Sequence, residues 1–137
     1  MSETALTDAF IYDGIRTPFG RHAGALAPVR PDDLLAHVIR TVVEKNDFPK
    51  EAFEDVIAGN TNQAGEDCRN VARFASLLAG MPVEVGGLTV NRLCASGLAA
   101  TLHAANSVKI REGDLFVAGG VESMSRAPLV LLSLIHI

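Results

Sequence analysis

The chain has 137 residues and a formal net charge of −4, with 48% apolar and 20% charged residues. This length and balance suit one folded domain with its own core and exclude a disordered chain. Lys and Arg form no basic stripe, which excludes a nucleic-acid footprint. No stretch has the length of a membrane span, and the polar start lacks the pattern of a secretory signal. With two cysteines and no disulfide pattern, we expect a cytoplasmic protein.

Apolar spacing and turn residues predict strands and helices in strict alternation. A short first strand is expected at residues 10–12. The first helix is expected over residues 32–46, where Pro31 suits its start and apolar residues recur at helical spacing. The remaining elements are expected in this order: a strand at 54–59, a helix from about Val71 to Gly80, a strand at 88–91, a helix from Cys94 to Lys109, and a strand at 115–118. The second helix is expected to turn these side chains inward: Val71, Phe74, Ala75, Leu77 and Leu78.

The alternation of four strands with three helices predicts an α/β fold with a layered, mixed but mostly parallel sheet. No internal repeat or linker divides the chain, so we expect one partial domain over residues 1–128. Residues 129–137 are almost wholly apolar and are predicted to be a tail outside that domain.

The chemistry indicated by the sequence centres on Cys94, which follows the third predicted strand and opens the third predicted helix. A thiol at that place meets free backbone N–H groups and the positive end of the helix dipole, and both favour the reactive thiolate. The same N–H groups can stabilise an oxyanion. These features leave one alternative open, because most free cysteines are packed and inert. Cys68 is expected to be structural, since the charges of Glu66 and Asp67 oppose a thiolate.

Other polar residues favour structural roles. The four histidines are not at metal-ligand spacing, so no metal site is expected. Glu122 is expected to accept hydrogen bonds from backbone amides rather than to act as a general base. Ser96 is expected to cap the start of its helix. Arg92 could meet a phosphate or form a salt bridge, and both readings stay open.

Four segments resemble motifs of the thiolase family, in the same order. Residues 91–97, Asn-Arg-Leu-Cys-Ala-Ser-Gly, resemble the family's nucleophile motif, and residues 119–125, Gly-Gly-Val-Glu-Ser-Met-Ser, resemble the motif that follows it. Residues 16–20, Arg-Thr-Pro-Phe-Gly, resemble the opening segment. Residues 63–65 with 70–73 resemble the region between. The residues of these segments are most similar to those of the 3-oxoadipyl-CoA and acetyl-CoA branch of the family.

The resemblance implies that Cys94 is the catalytic nucleophile and that its backbone N–H helps to form an oxyanion hole. It implies an acyl transfer in which the thiolate attacks a 3-ketoacyl-CoA, acetyl-CoA leaves, and CoA then takes the acyl group. CoA and acyl-CoA would be substrates, so no resident cofactor is expected, and no residue is assigned to CoA binding. A homo-oligomer, dimer or tetramer, is implied, with the third predicted strand near its interface. The implied pathway is degradation of fatty acids or aromatic compounds.

Three of the family's catalytic motifs do not occur in this sequence. The family takes a His from a Gly-His-Pro motif, a Cys from a Cys-x-Gly motif and an Asn- or His-bearing motif from its C-terminal half, and the chain has none of them. We therefore expect this chain alone to be inactive. Two alternatives are kept: a non-catalytic fragment or interaction-only half-domain, and a ketoacyl-synthase-like condensing enzyme. The motif at residues 122–125 favours a thiolase over the condensing enzyme.

Overall fold

The computed structural model describes residues 6–129 and contains helices and strands in alternation. The helices are α1 (Pro31–Lys45), α2 (Val71–Leu78) and α3 (Ser96–Lys109), and the strands are β1 (Asp55–Gly59), β2 (Gly86–Val90) and β3 (Phe116–Gly120). Short 3-10 turns occupy Lys50–Ala52, Gly65–Asp67 and Met124–Arg126. No described helix is long and apolar enough to cross a membrane. Residues 130–137 of the expected tail lie outside the described residues, so the boundary at 128 stays a prediction.

The strands form one parallel sheet in the order β2-β1-β3. At one end Asp55 lies opposite Gly86 and Phe116, and at the other Gly59 lies opposite Val90 and Gly120. Because the strands run in the same direction, the loops that follow them meet at one edge of the sheet. This arrangement confirms the predicted α/β class, and every strand pairing within residues 6–129 is parallel.

Alternate side chains of β1 face two different layers of helix. Val56 and Ala58 pack with α1 and α2 on one face, while Ile57 packs with α3 on the other. The helices contribute these buried apolar residues: Leu35, Ala36, Ile39 and Val43 from α1, Val71, Ala72 and Ala75 from α2, and Ala100 and Ala104 from α3. The sheet is therefore the middle of three layers, and β1 is its central, most buried strand.

The strand predicted at residues 10–12 is wrong for the part of the chain that the structure describes. Phe10 and Ile11 are each 85% exposed, and no residue of this segment pairs with the sheet. A groove of about 810 Å³ lies between residues 9–22 and residues 114–125. A segment rich in aromatic and apolar residues becomes a strand only where a neighbouring strand supplies hydrogen-bond partners, and across this groove β3 does not reach it.

The predicted inner face of α2 is right at Val71 and Ala75 and wrong at its larger residues. Phe74, Leu77 and Leu78 are 39–41% exposed. The helix instead buries small side chains, since its backbone comes very close to β2. A Cβ on Gly87 would lie 2.4 Å from the Cα of Arg73, so there is no room for a large residue between them. Asn70 caps the start of this helix, and its side chain accepts a hydrogen bond from the Arg73 amide at 3.2 Å.

Candidate active site

Cys94 lies in the turn that joins β2 to α3, at the carboxyl edge of the sheet. Its side chain is exposed, so it is not a packed core thiol. The helix begins at Ser96, two residues later than predicted, and Cys94 therefore precedes the helix rather than opening it. Ala99 donates to the carbonyl of Ala95 at 2.8 Å, which leaves the amides at 97 and 98 in the first turn without a helical acceptor.

Hydrogen bonds hold the turn in a conformation that its own residues do not favour. Leu93 has a φ of 51°, in the left-handed region that costs a leucine about 1 kcal/mol. The hydroxyl of Ser96 accepts from the Arg92 amide at 2.8 Å and donates to the Leu93 carbonyl at 2.6 Å. The side chain of Asn91 accepts from the Leu93 amide at 3.0 Å. Ser96 thus has a role close to the predicted cap, although it fixes the turn instead of the first helical amides.

The start of α3 rests directly on the end of β1. A Cβ on Gly59 would lie 2.3 Å from the carbonyl carbon of Ser96 and 2.5 Å from the amide nitrogen of Gly97. Such distances are far inside van der Waals contact, so this position requires glycine. The contact fixes the height of the Cys94 turn above the sheet.

An open pocket of about 740 Å³ lies beside Cys94. It is formed where the loops after the three strands come together, and these residues line it: Gly59, Thr61, Asn62, Leu93, Glu122 and Met124. The exposed sulfur therefore faces a cavity large enough for a small acyl group and part of its carrier.

Glu122 joins two walls of the pocket. Its carboxylate accepts hydrogen bonds from the Thr61 amide at 2.9 Å, the Thr61 hydroxyl at 2.7 Å and the Asn62 amide at 3.1 Å. These are the backbone hydrogen bonds predicted for Glu122. They tie the loop after β3 to the loop after β1.

Comparisons with known proteins agree on one family. The family model described as the N-terminal domain of thiolase matches residues 9–135. The chain belongs to the thiolase family. It is 58% identical over 127 residues to the 3-oxoadipyl-CoA/3-oxo-5,6-dehydrosuberyl-CoA thiolase of Escherichia coli K12, covering 92% of this chain and 32% of that protein. It is also 58% identical over 124 residues to a beta-ketoadipyl-CoA thiolase of Acinetobacter baylyi, covering 90% of this chain and 31% of that protein.

A solved structure has the same fold. The Bacillus anthracis acetyl-CoA acetyltransferase superposes with a TM-score of 0.90 at 35% identity, covering 95% of this chain and 33% of that one. The chain thus spans about a third of the length of the relatives it matches.

Behind the pocket of this thiolase domain lies a carboxylate that the sequence did not single out. Asp67 is 3% exposed and accepts hydrogen bonds from the side-chain amides of Asn60 at 3.2 Å and Asn62 at 3.1 Å. Burial raises the pKa of Asp67 to about 6, and the negative charge of Glu122 adds to this while the Asn60 hydrogen bond opposes it. The only sequence signal was a run of polar residues directly after a buried strand.

Ion pairs fasten the loop that holds Glu122 to the start of α1. Arg126 pairs with Glu66 through both carboxylate oxygens, and this hydrogen bonding lowers the pKa of Glu66. Arg30 pairs with the buried Asp32 at 2.7 Å. Arg30 also lies 3.9 Å from Glu66. The thiolase pocket therefore has a braced outer wall.

The remaining predicted residues stand apart from the pocket. Cys68 is exposed with a φ of 52°, and its structural role stays a prediction. His37 is exposed on α1. Within residues 6–129 no group of three or more His, Cys, Asp or Glu side chains could hold a metal ion. Arg92 makes no ion pair with another described residue, while His136 lies outside that part.

Replacing Gly59 with alanine tests the backbone contact between β1 and the start of α3 that supports the Cys94 turn. The added methyl overlaps the backbone of α3, so we expect Gly59→Ala to lower the free energy of unfolding by about 3 kcal/mol in urea denaturation. Gly97→Ala is the matched control, because a Cβ there meets nothing within 4 Å. It should leave stability unchanged or raise it by about 0.5 kcal/mol. Equal losses in the two variants would refute the close approach.

Removing the Ser96 hydroxyl tests the two hydrogen bonds by which this side chain holds the turn before α3. Ser96→Ala deprives the Arg92 amide of its acceptor, and we expect a loss of about 1 kcal/mol in the free energy of unfolding. Thr101→Ala removes a hydroxyl from the same helix, where it bonds only to the Gly97 carbonyl at 3.1 Å. That control should change stability by less than about 0.5 kcal/mol. A Ser96 variant as stable as the control would show that these hydrogen bonds contribute nothing to the free energy of unfolding.

Proposed function

We propose that this chain is the nucleophile-bearing part of a thiolase-type acyltransferase and that Cys94 carries the acyl group. The observation that supports this most is the placement of Cys94: an exposed thiol on a braced turn, beside a pocket and next to a helix start. A nucleophile needs this combination, since its attacking atom must reach a carbonyl while nearby N–H groups meet the oxyanion.

In the proposed reaction the thiolate of Cys94 attacks the keto carbon of a 3-ketoacyl-CoA. The bond between the keto carbon and its neighbour then breaks, leaving an acyl group on sulfur and the enolate of acetyl-CoA, which takes up a proton. The amide of Cys94 and the first-turn amides of α3 are the oxyanion donors that this chain offers. In a second step the thiol of CoA takes the acyl group from Cys94. CoA and acyl-CoA are thus substrates and not resident cofactors.

The chain alone is proposed to load an acyl group without turning over. Both halves of the cycle move protons: water can give the enolate its proton during a single loading, but repeated turnover needs the groups that remove and return protons at the substrate, which the family takes from its C-terminal half. Glu122 does not supply it, because its carboxylate is held by Thr61 and Asn62.

The proposed substrate is a 3-ketoacyl-CoA whose acyl chain ends in a free carboxylate, as in 3-oxoadipyl-CoA. The difference in sequence identity supports this substrate. The chain is 58% identical to the 3-oxoadipyl-CoA thiolase but 41% identical to a 3-ketoacyl-CoA thiolase of Aeromonas hydrophila. Such a substrate places the full-length protein in the degradation of aromatic compounds.

A homo-oligomer is proposed for the full-length protein, with its interface around β2. This strand is an edge of the described sheet, and the helices that pack beside it leave apolar side chains uncovered: Phe74 and Leu77 on α2, Leu98 and Leu102 on α3. Apolar patches of this kind mark protein–protein interfaces. We also propose the cytoplasm as its compartment, since both cysteines are unpaired thiols.

Intact mass after incubation with acetoacetyl-CoA tests the proposed chemistry. We expect the folded chain to gain one acetyl group, because attack at the keto carbon leaves acetyl on sulfur. Cys94→Ser should gain nothing, and Cys68→Ser, the matched control on the other exposed thiol, should gain as much as the unaltered chain.

Other outcomes would replace the proposal. Gain of a whole acetoacetyl group at Cys94 would show attack at the thioester carbon, the loading step of a ketoacyl-synthase-like enzyme. A folded chain whose Cys94 reacts with iodoacetamide but never with acetoacetyl-CoA would be a non-catalytic fragment.

A further inference from the structure

A buried carboxylate behind the pocket lies outside the proposed chemistry. Asp67 is 3% exposed, ends the 3-10 turn Gly65–Asp67, and makes hydrogen bonds to side chains that reach toward the pocket. Burying a carboxylate is costly unless hydrogen bonds compensate for the lost water, and here the side-chain amides of Asn60 and Asn62 supply them. A carboxylate kept in this place therefore calls for a role in the structure around it.

The contacts of Asp67 lead stepwise to the Cys94 turn. Its carboxylate binds the side-chain amide of Asn62 at 3.1 Å, which fixes the loop after β1 from behind. In that loop the carbonyl of Thr61 accepts a hydrogen bond from the side chain of Asn91 at 3.4 Å. The other end of the same Asn91 amide accepts from the Leu93 amide at 3.0 Å. Leu93 is the left-handed residue directly before Cys94.

Asn60 adds a second route from Asp67 to the pocket wall. Its side-chain amide donates to Asp67 at 3.2 Å and to the carbonyl of Val121 at 2.9 Å. Asp67 therefore holds both the loop after β1 and the first residue after β3. These are the two walls that Glu122 also joins on the solvent side.

We propose that Asp67 is a positioning residue for Cys94, which holds the pocket wall from behind and, through Asn62, Thr61 and Asn91, the turn that presents the thiol. The inference rests on the proposed function of Cys94, because the turn matters for chemistry only if this sulfur reacts. Asp67 itself touches no reacting atom.

The charges around Asp67 make its influence depend on pH. Glu122, Asp32 and Glu66 face it from the loop after β3, from α1 and from its own turn, and their negative charges reinforce the effect of burial on its pKa. Arg30 and Arg126 are engaged by Asp32 and Glu66. The pKa of Asp67 is about 6 while the loops after β1 and β3 are held together, against 3.8 for a solvated Asp. The arrangement in which these loops are held together is therefore most stable below the pKa of a solvated Asp. It becomes less stable as the pH rises to about 6.

Amide hydrogen exchange measured by NMR on the whole chain tests this role. In Asp67→Ala the Asn62 side chain loses its acceptor, and we expect the protection of the Thr61 and Asn62 amides to fall about tenfold. The Leu93 amide should fall with them, while Ala58 in β1 should keep its protection. Asp47→Ala, at an exposed aspartate, is the matched control and should change none of these amides.

A pH series on the unaltered chain supplies the readout that a merely structural role would not move. After correction for intrinsic exchange, protection at Asn62 and Leu93 should decrease at least about fivefold between about pH 4.5 and about 6 and level off above about 6, with the same profile for both amides. Asp67→Asn, which keeps the volume and removes the titration, should flatten both profiles. This series needs no destabilised variant, so it decides the matter even where Asp67→Ala does not fold.

Two results would overturn the proposal. If Thr61 and Asn62 respond while Leu93 does not, Asp67 supports only its own loop. If every amide responds equally, including Ala58, Asp67 serves global stability alone. Neither result depends on acylation, so a chain whose Cys94 fails to react with acetoacetyl-CoA can still pass or fail this test.

Discussion

The site depends on one backbone contact, the first turn of α3 resting on Gly59 at the carboxyl end of β1. A side chain at that position would force the helix outward, because its Cβ would lie 2.3 Å from the backbone of Ser96. Since β1 is central and buried between two helical layers, it gives the turn before α3 a rigid base. The parallel direction of the strands then brings the loops after β1 and β3 to the same edge as Cys94. Thus the sheet supplies the position of the thiol, and the loops supply its surroundings.

Local signals made much of this fold predictable. α1 spans Pro31–Lys45 against a predicted 32–46, because a proline at its start, acids in its first turn and helical apolar spacing are all encoded within the segment. Cys94 was placed between a strand and a helix for the same reason. Its turn, however, needs a left-handed Leu93, which is stabilised by Ser96 and Asn91 and has no signature in composition. The start of α3 was consequently placed two residues too early.

Features that depend on distant parts of the chain could not be predicted in this way. Residues 10–12 read as a strand, yet pairing requires a neighbour that the sequence does not reveal. The outward face of α2 follows from how near its backbone comes to Gly87, which is a property of packing. The sequence marks Asp67 only as a charge beside Cys68, because its burial and its hydrogen bonds to Asn60 and Asn62 arise from tertiary structure. Periodicity left open whether Cys94 is reactive or a packed, inert thiol, and family resemblance is what favours the reactive alternative.

The most direct test of the account compares the two thiols of the same molecule. Cys94 and Cys68 are both exposed, so accessibility alone predicts similar reactivity. Limited iodoacetamide labelling of the folded chain, followed by trypsin and mass spectrometry, separates them, because they fall in peptides 93–109 and 51–69. If the turn before α3 activates its thiol, Cys94 will be labelled at least about tenfold faster than Cys68 near neutral pH. Equal rates, or faster labelling of Cys68, would contradict a site built around Cys94.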